Sequence, residues 1–122
     1  MRILIVEDDS DSRNTLKVLL ERDGHDVTSA PNGMKGWQAF EVGDYRVVLS
    51  DWIMPEMDGL ELLQKVRSNA ILRRTPFIIA SAQSARDKIS QALNAGASVY
   101  VQKPFTAPEL RKALELALGR FV

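Results

Sequence analysis

The chain has 122 residues, 45% of them hydrophobic and 26% charged, with sixteen basic residues balanced by sixteen acidic ones. That length suits one domain spanning residues 1–122 with a core of its own, and the zero net charge argues against a nucleic-acid module held by phosphate neutralisation. With no cysteine, a disulfide scaffold and a thiolate zinc site are excluded, and a cytoplasmic location is expected.

The first apolar run, Ile3-Leu4-Ile5-Val6, is too short for a signal segment or a membrane span, and acids follow it at once. It predicts a strand buried on both faces, as in a parallel sheet. Glu7 to Ser12 then offers N-cap residues and first-turn acids for a helix running to about Arg22, with Leu16, Leu19 and Leu20 inward and Gly24 at its stop. Asp26 to Ala30 is a short, half-polar strand suited to an edge. Pro31-Asn32-Gly33 turns the chain into a second helix carrying Met34, Trp37 and Phe40, with Trp37 expected in the core.

Arg46 to Ser50 predicts the third strand, and the turn-forming Pro55-Glu56-Met57-Asp58-Gly59 leads to a helix marked by Leu60, Leu63 and Val66. Phe77 to Ala80 is the fourth strand, followed by a polar loop beginning at Ser81. A weakly apolar helix over Arg86–Ala95, a strand over Ser98–Gln102 and a last helix complete the pattern. Thr106 and Glu109 form a capping box for that helix, and Leu110, Ala113, Leu114 and Ala117 form its buried stripe. Five strand–helix repeats demand an α/β fold, a doubly wound parallel sheet with helices on both faces.

The strand ends carry the chemistry. Asp51 follows the third strand, Glu7-Asp8-Asp9 the first, Ser81 the fourth and Lys103-Pro104 the fifth, whereas the second ends in Ala30-Pro31. Ligands of open α/β sheets bind outside such carboxyl ends. Crowding Glu7, Asp8 and Asp51 together must raise a carboxyl pKa or recruit a cation. An all-oxygen set suits Mg2+, which keeps waters and binds phosphate oxygens. Asp51 would then be a nucleophile, Lys103 a second cation beside it, and Ser81 a hydroxyl donor to phosphate. Taken singly, each has a plainer reading: helix-dipole acids, a surface lysine, a loop serine.

Together, Glu7-Asp8-Asp9, Asp51-x-x-Met54-Pro55-x-Met57-Asp58-Gly59 and Lys103-Pro104-Phe105 resemble the CheY-like receiver domains of two-component response regulators over essentially the whole chain. The resemblance implies the (βα)5 fold with strand order 2-1-3-4-5. It implies Asp51 as phospho-acceptor, Glu7 and Asp8 as the acidic pair, and the backbone carbonyl of Ile53 as a further Mg2+ ligand. Ser81 matches the hydroxyl that meets the phosphoryl group, with the small Ala82 after it. Lys103 matches the lysine of a cis Lys-Pro motif, and Tyr100 the aromatic switch. The implied protein is a signalling switch rather than an enzyme. A histidine kinase, a phosphotransfer protein or a small phosphodonor would supply the phosphoryl group to Asp51, the two protein donors making contact with helix one around Ser12–Thr15. Its output face would be the fourth helix, fifth strand and fifth helix. Ile53 and Gln83 would flank the attacking water and tune phosphoryl lifetime.

Rival readings fit less well. A haloacid-dehalogenase-type phosphatase would place its nucleophile after the first strand, and a flavodoxin-like binder would want a phosphate-holding loop where Glu7-Asp8-Asp9 would repel one. A phosphorylation-independent interaction module is the remaining alternative. Ser98-Val99 replaces the paired aspartates common in receivers attached to winged-helix DNA-binding domains. Stand-alone and multidomain origins, with a separate or a fused effector, therefore both stay open. Direct nucleic-acid and membrane binding are not expected. Trp52 reads either as a fluorescence reporter beside Asp51 or as a packed indole, Leu116 as a partner contact or a stray surface residue, and His25 as a bland turn residue.

Overall fold

The computed structural model describes residues 1–119, so the last three of the expected 1–122 span lie outside the described residues. Ten elements alternate: β1 (Arg2–Val6), α1 (Ser10–Arg22), β2 (Asp26–Ala30), α2 (Gly33–Val42), β3 (Val47–Asp51), α3 (Gly59–Ser68), β4 (Phe77–Ser81), α4 (Arg86–Asn94), β5 (Val99–Gln102) and α5 (Ala107–Ala117). The strands form one parallel sheet in the order β2-β1-β3-β4-β5. Half-polar β2 is at an edge, as its composition predicted.

Successive strand residues point to opposite faces, and the core divides accordingly. Leu4, Val6, Val48, Phe77 and Ile79 pack under α2, α3 and α4 against Phe40, Leu62, Leu63, Val66 and Ala92. Ile3, Ile5, Val47, Leu49, Ile78 and Ala80 pack under α1 and α5 against Leu20, Leu110, Ala113 and Leu114. The sheet is therefore doubly wound, and its interior strands need the continuous apolar runs the sequence shows.

Several boundaries shift by a residue. β3 takes in Asp51 and β4 takes in Ser81, because both ladders continue through those residues. Leu62, absent from the periodic set Leu60, Leu63 and Val66, is fully buried. Trp37 departs from the expected core position. It is only half-buried, stacked on Phe40 at 5.8 Å between centroids, with Lys65 Nζ 5.2 Å from its ring centroid. The rim of α2 and α3 thus gives the indole one apolar partner and one cationic partner. The Thr106–Glu109 capping box forms as expected.

Candidate functional site

The run Glu7-Asp8-Asp9 divides into three different environments. Asp9 is the N-cap of α1, accepting from Ser12 N at 2.8 Å, which holds its carboxyl below the ordinary value. Asp8 is exposed, while Glu7 is only 2% exposed beneath it. Carboxylate oxygens of Glu7, Asp8 and Asp51 lie within 4.8 Å of one another. The cluster forms because β1 and β3 are adjacent and parallel, so their carboxyl ends fall side by side.

Lys103 bridges the cluster from the end of β5, its Nζ 2.8 Å from Glu7 Oε1 and 3.3 Å from Asp51 Oδ1. The sequence suggested the Asp51 contact; the shorter one to Glu7 has no signature in the chain. Burial pushes the Glu7 carboxyl above its ordinary value, Lys103 opposes this, and the neighbouring Asp51 carboxylate adds to it. For Lys103 burial disfavours the charged form, but Glu7 and Asp51 outweigh it and raise the ammonium pKa. Glu7 Oε2 is buried without a hydrogen-bond partner among the described residues. A crowded all-oxygen set with one orphaned buried oxygen fits a small hard cation.

The Asp51 oxygen that faces Lys103 is also held by the backbone. This Oδ1 accepts from Trp52 N at 3.0 Å, and the start of α3 approaches the Asp51 backbone closely. A side chain at Gly59 would put Cβ 2.2 Å from the Asp51 carbonyl oxygen, so only glycine allows this approach. Asp58 caps the same helix, accepting from Glu61 N at 2.9 Å.

Ser81 is 1% exposed, and its Oγ accepts from Gln83 N at 3.2 Å. Ala82 and Gln83 are exposed beyond it, as is Ile53 beyond Asp51, at 60%. Tyr100 is half-buried, its ring edge-on to Trp52 at 6.2 Å between centroids and its hydroxyl donating to the Gln83 carbonyl. Trp52 is 5% exposed, directly beside Asp51. The Lys103–Pro104 peptide bond is cis, as the resemblance implied. The structure thus brings Glu7, Asp8, Asp51 and Lys103 into one cluster and places Ser81, Ile53, Gln83 and Tyr100 on β3, β4, β5 and the loops that follow them. His25 lies away in the turn just before β2, its Nδ1 3.2 Å from the N-terminal nitrogen.

A family model for the response regulator receiver domain matches residues 3–115 of this chain. The chain belongs to the response regulator receiver family. It is 38% identical to the chemotaxis protein CheY1 of Helicobacter pylori (strain 26695) over 121 residues, covering 98% of each protein. It is 39% identical to a CheY homolog of Campylobacter jejuni, covering 98% of this chain and 93% of that one. The fold is similar to that of Vibrio cholerae CheY4, with a TM-score of 0.91 at 26% identity, covering 96% of this receiver and 98% of CheY4. It is also similar to the receiver domain of a Pseudomonas aeruginosa sensor histidine kinase solved with a magnesium ion in its active site cleft. That match has a TM-score of 0.88 at 29% identity over 97% of each chain. This receiver is therefore a signalling module of the CheY type. Among its described residues no helix is long and apolar enough to cross a membrane.

Proposed function

We propose that this receiver is a phosphorylation-controlled switch whose phosphoacceptor is Asp51. The observation that carries this reading is the cluster itself, three carboxylates within 4.8 Å with Lys103 Nζ 3.3 Å from Asp51 Oδ1. Glu7, Asp8 and Asp51 would hold Mg2+, with the Ile53 carbonyl as a further ligand. When bound, the ion offsets the repulsion between carboxylates and incoming phosphate.

An Asp51 carboxylate oxygen attacks the phosphorus of a phosphohistidine or an acyl phosphate, forming the new P–O bond as the P–N bond to imidazole or the P–O bond to the donor carboxylate breaks and that group leaves. Lys103, 3.3 Å from Asp51 Oδ1, orients the carboxylate beforehand and pairs with a phosphoryl oxygen afterwards. Ser81 donates its hydroxyl to that phosphoryl group. The donor approaches over a cleft of about 540 Å3 lined by Ser12, Thr15, Lys103 and Phe105, which supports the assignment of Ser12–Thr15 to the kinase or phosphotransfer partner. The output is the α4–β5–α5 face. Tyr100 and the exposed Leu116 line a groove there with Lys112, suited to a downstream protein or a fused effector.

Intact mass after incubation with acetyl phosphate tests the reading. A single Mg2+-dependent phosphoryl adduct is expected in the wild type and none in Asp51→Ala. An unlabelled wild type, or an Asp51→Ala variant that still takes the adduct, would overturn the assignment. The first result would leave a phosphorylation-independent interaction module as the better account.

A further inference from the structure

The end of the sheet opposite the acidic cluster carries the reverse charge. β1, β3 and β4 begin side by side there. Arg46 N donates to the Arg2 carbonyl at 2.8 Å, and Val48 N to the Pro76 carbonyl at 2.9 Å. This juxtaposition brings Arg2, Arg46 and Arg74 to a cleft of about 580 Å3 whose remaining wall includes Tyr45, Ile71 and Leu72. One carboxylate, Asp44, shares the lining. Neither Arg46 nor Arg74 has a carboxylate within 4.0 Å among the described residues.

The walls are partly arranged in advance. Arg2 donates to the Asp44 carbonyl at 3.4 Å and pairs with Asp26 at 3.5 Å, which sets its guanidinium 5.0 Å from the centroid of the Tyr45 ring. That ring lies against the bare backbone of Gly43, where an added Cβ would sit 2.2 Å from Tyr45 Cε2. Ile71 stands 88% exposed at the rim.

We propose that this cleft binds a small molecule with an aromatic or apolar body and an oligophosphate group, the chemical class of nucleoside di- and triphosphates. Guanidinium forks match phosphate oxygens in pairs. The concave volume falls within the range of about 300–1,000 Å3 usual for small-ligand sites, and Tyr45, Ile71 and Leu72 give a mixed, largely polar lining its apolar part. β1, five residues long, holds the cleft about 16 Å from Glu7. At that distance, and with Lys103 already paired to Glu7 and Asp51, the acidic cluster makes no direct contact with an anion held here. The inference is independent of phosphoryl transfer to Asp51.

The test titrates the full chain with ATP in the absence of divalent cations, followed by amide NMR and calorimetry, with tripolyphosphate and adenosine in parallel. A single saturable event is expected, shifting Tyr45, Arg46, Ile71 and Arg74, with tripolyphosphate about tenfold weaker than ATP. The double variant Arg46→Gln/Arg74→Gln should weaken ATP by about tenfold or more while melting as the wild type does and still labelling with acetyl phosphate. Asp51→Asn should bind ATP unchanged. No saturable shift up to about 1 mM, shifts centred on Glu7 and Lys103, or equal ATP affinity in the folded double variant would overturn the proposal. Tripolyphosphate binding as tightly as ATP would overturn the apolar half of it.

Discussion

The lifetime of an aspartyl phosphate depends on whether a water can be aligned beside it, and two side chains here differ in their capacity to do so. Ile53 and Gln83 each follow by two residues the end of an adjacent strand, β3 and β4, and both are exposed. The backbone of Gln83 is engaged at both ends, its N–H by Ser81 Oγ and its carbonyl by Tyr100. Its amide side chain therefore projects from a fixed point and can orient water, whereas Ile53 cannot. Gln83→Leu is expected to slow loss of the phosphoryl adduct about tenfold, part of what a well-aligned reactant is worth, read as decay of the adduct mass. An unchanged decay rate would assign hydrolysis to another group. The positions of Ile53 and Gln83 just past strand ends were legible in the sequence, while the role given to them came with the resemblance. The pairings among the site residues were not legible. Nothing in Glu7-Asp8-Asp9 says that the first acid is buried, the second exposed and the third a helix cap, since that division depends on where β1 leaves the sheet.

Among the elements, α4 is the least anchored. Its N-cap, Ala85, makes no side-chain hydrogen bond, and Ala92 is its one buried residue. Its C-terminal end is fixed instead by Arg67 of α3, which donates to the Gly96 carbonyl at 3.0 and 2.8 Å and to the Arg73 and Thr75 carbonyls at 2.9 and 2.6 Å. The sequence shows Arg67 only as a cation in the last turn of a helix, so this clamp was invisible there, while the weak apolar pattern of α4 itself was plain. At the other end, the loop entering α4 is latched by Tyr100 Oη to the Gln83 carbonyl. Tyr100→Phe keeps the ring against Trp52 and deletes only the latch. Hydrogen exchange over residues 82–86 should rise about fivefold in the unphosphorylated variant, corresponding to one hydrogen bond of about 1 kcal/mol. Exchange equal to that of the wild type would mean that the ring packing, rather than the hydroxyl, holds the loop.

For the whole molecule, the alternation of five apolar runs with five amphipathic ones left one fold class, and the order of the strands came with the motifs rather than with the periodicity. The charges that respond to pH were less readable, because they depend on which termini and turns meet. His25 is the case nearest neutrality. Burial lowers its pKa below the ordinary 6.5, the N-terminal ammonium lowers it further, and Asp23 opposes them. The unfolded chain therefore binds this proton more tightly than the folded one. The resulting stabilisation is complete above pH 6.5 and is lost as pH falls through the folded-state pKa. Asp9 and Asp23, lowered by the Ser12 N–H and by Arg111 respectively, are held below the ordinary 3.8 and lose their contributions only in stronger acid. Glu7, raised from 4.5 by burial, works in the opposite sense: its contribution is present below that value and is lost as pH rises through its folded-state pKa. Between pH 7.5 and 5.5 the melting temperature should fall in the wild type. The decline should be shallower in His25→Gln, which keeps a polar side chain but cannot take up the proton in that range. Parallel curves for the two proteins would place the sensitive group elsewhere, with Glu7 excluded because its contribution has the wrong sign.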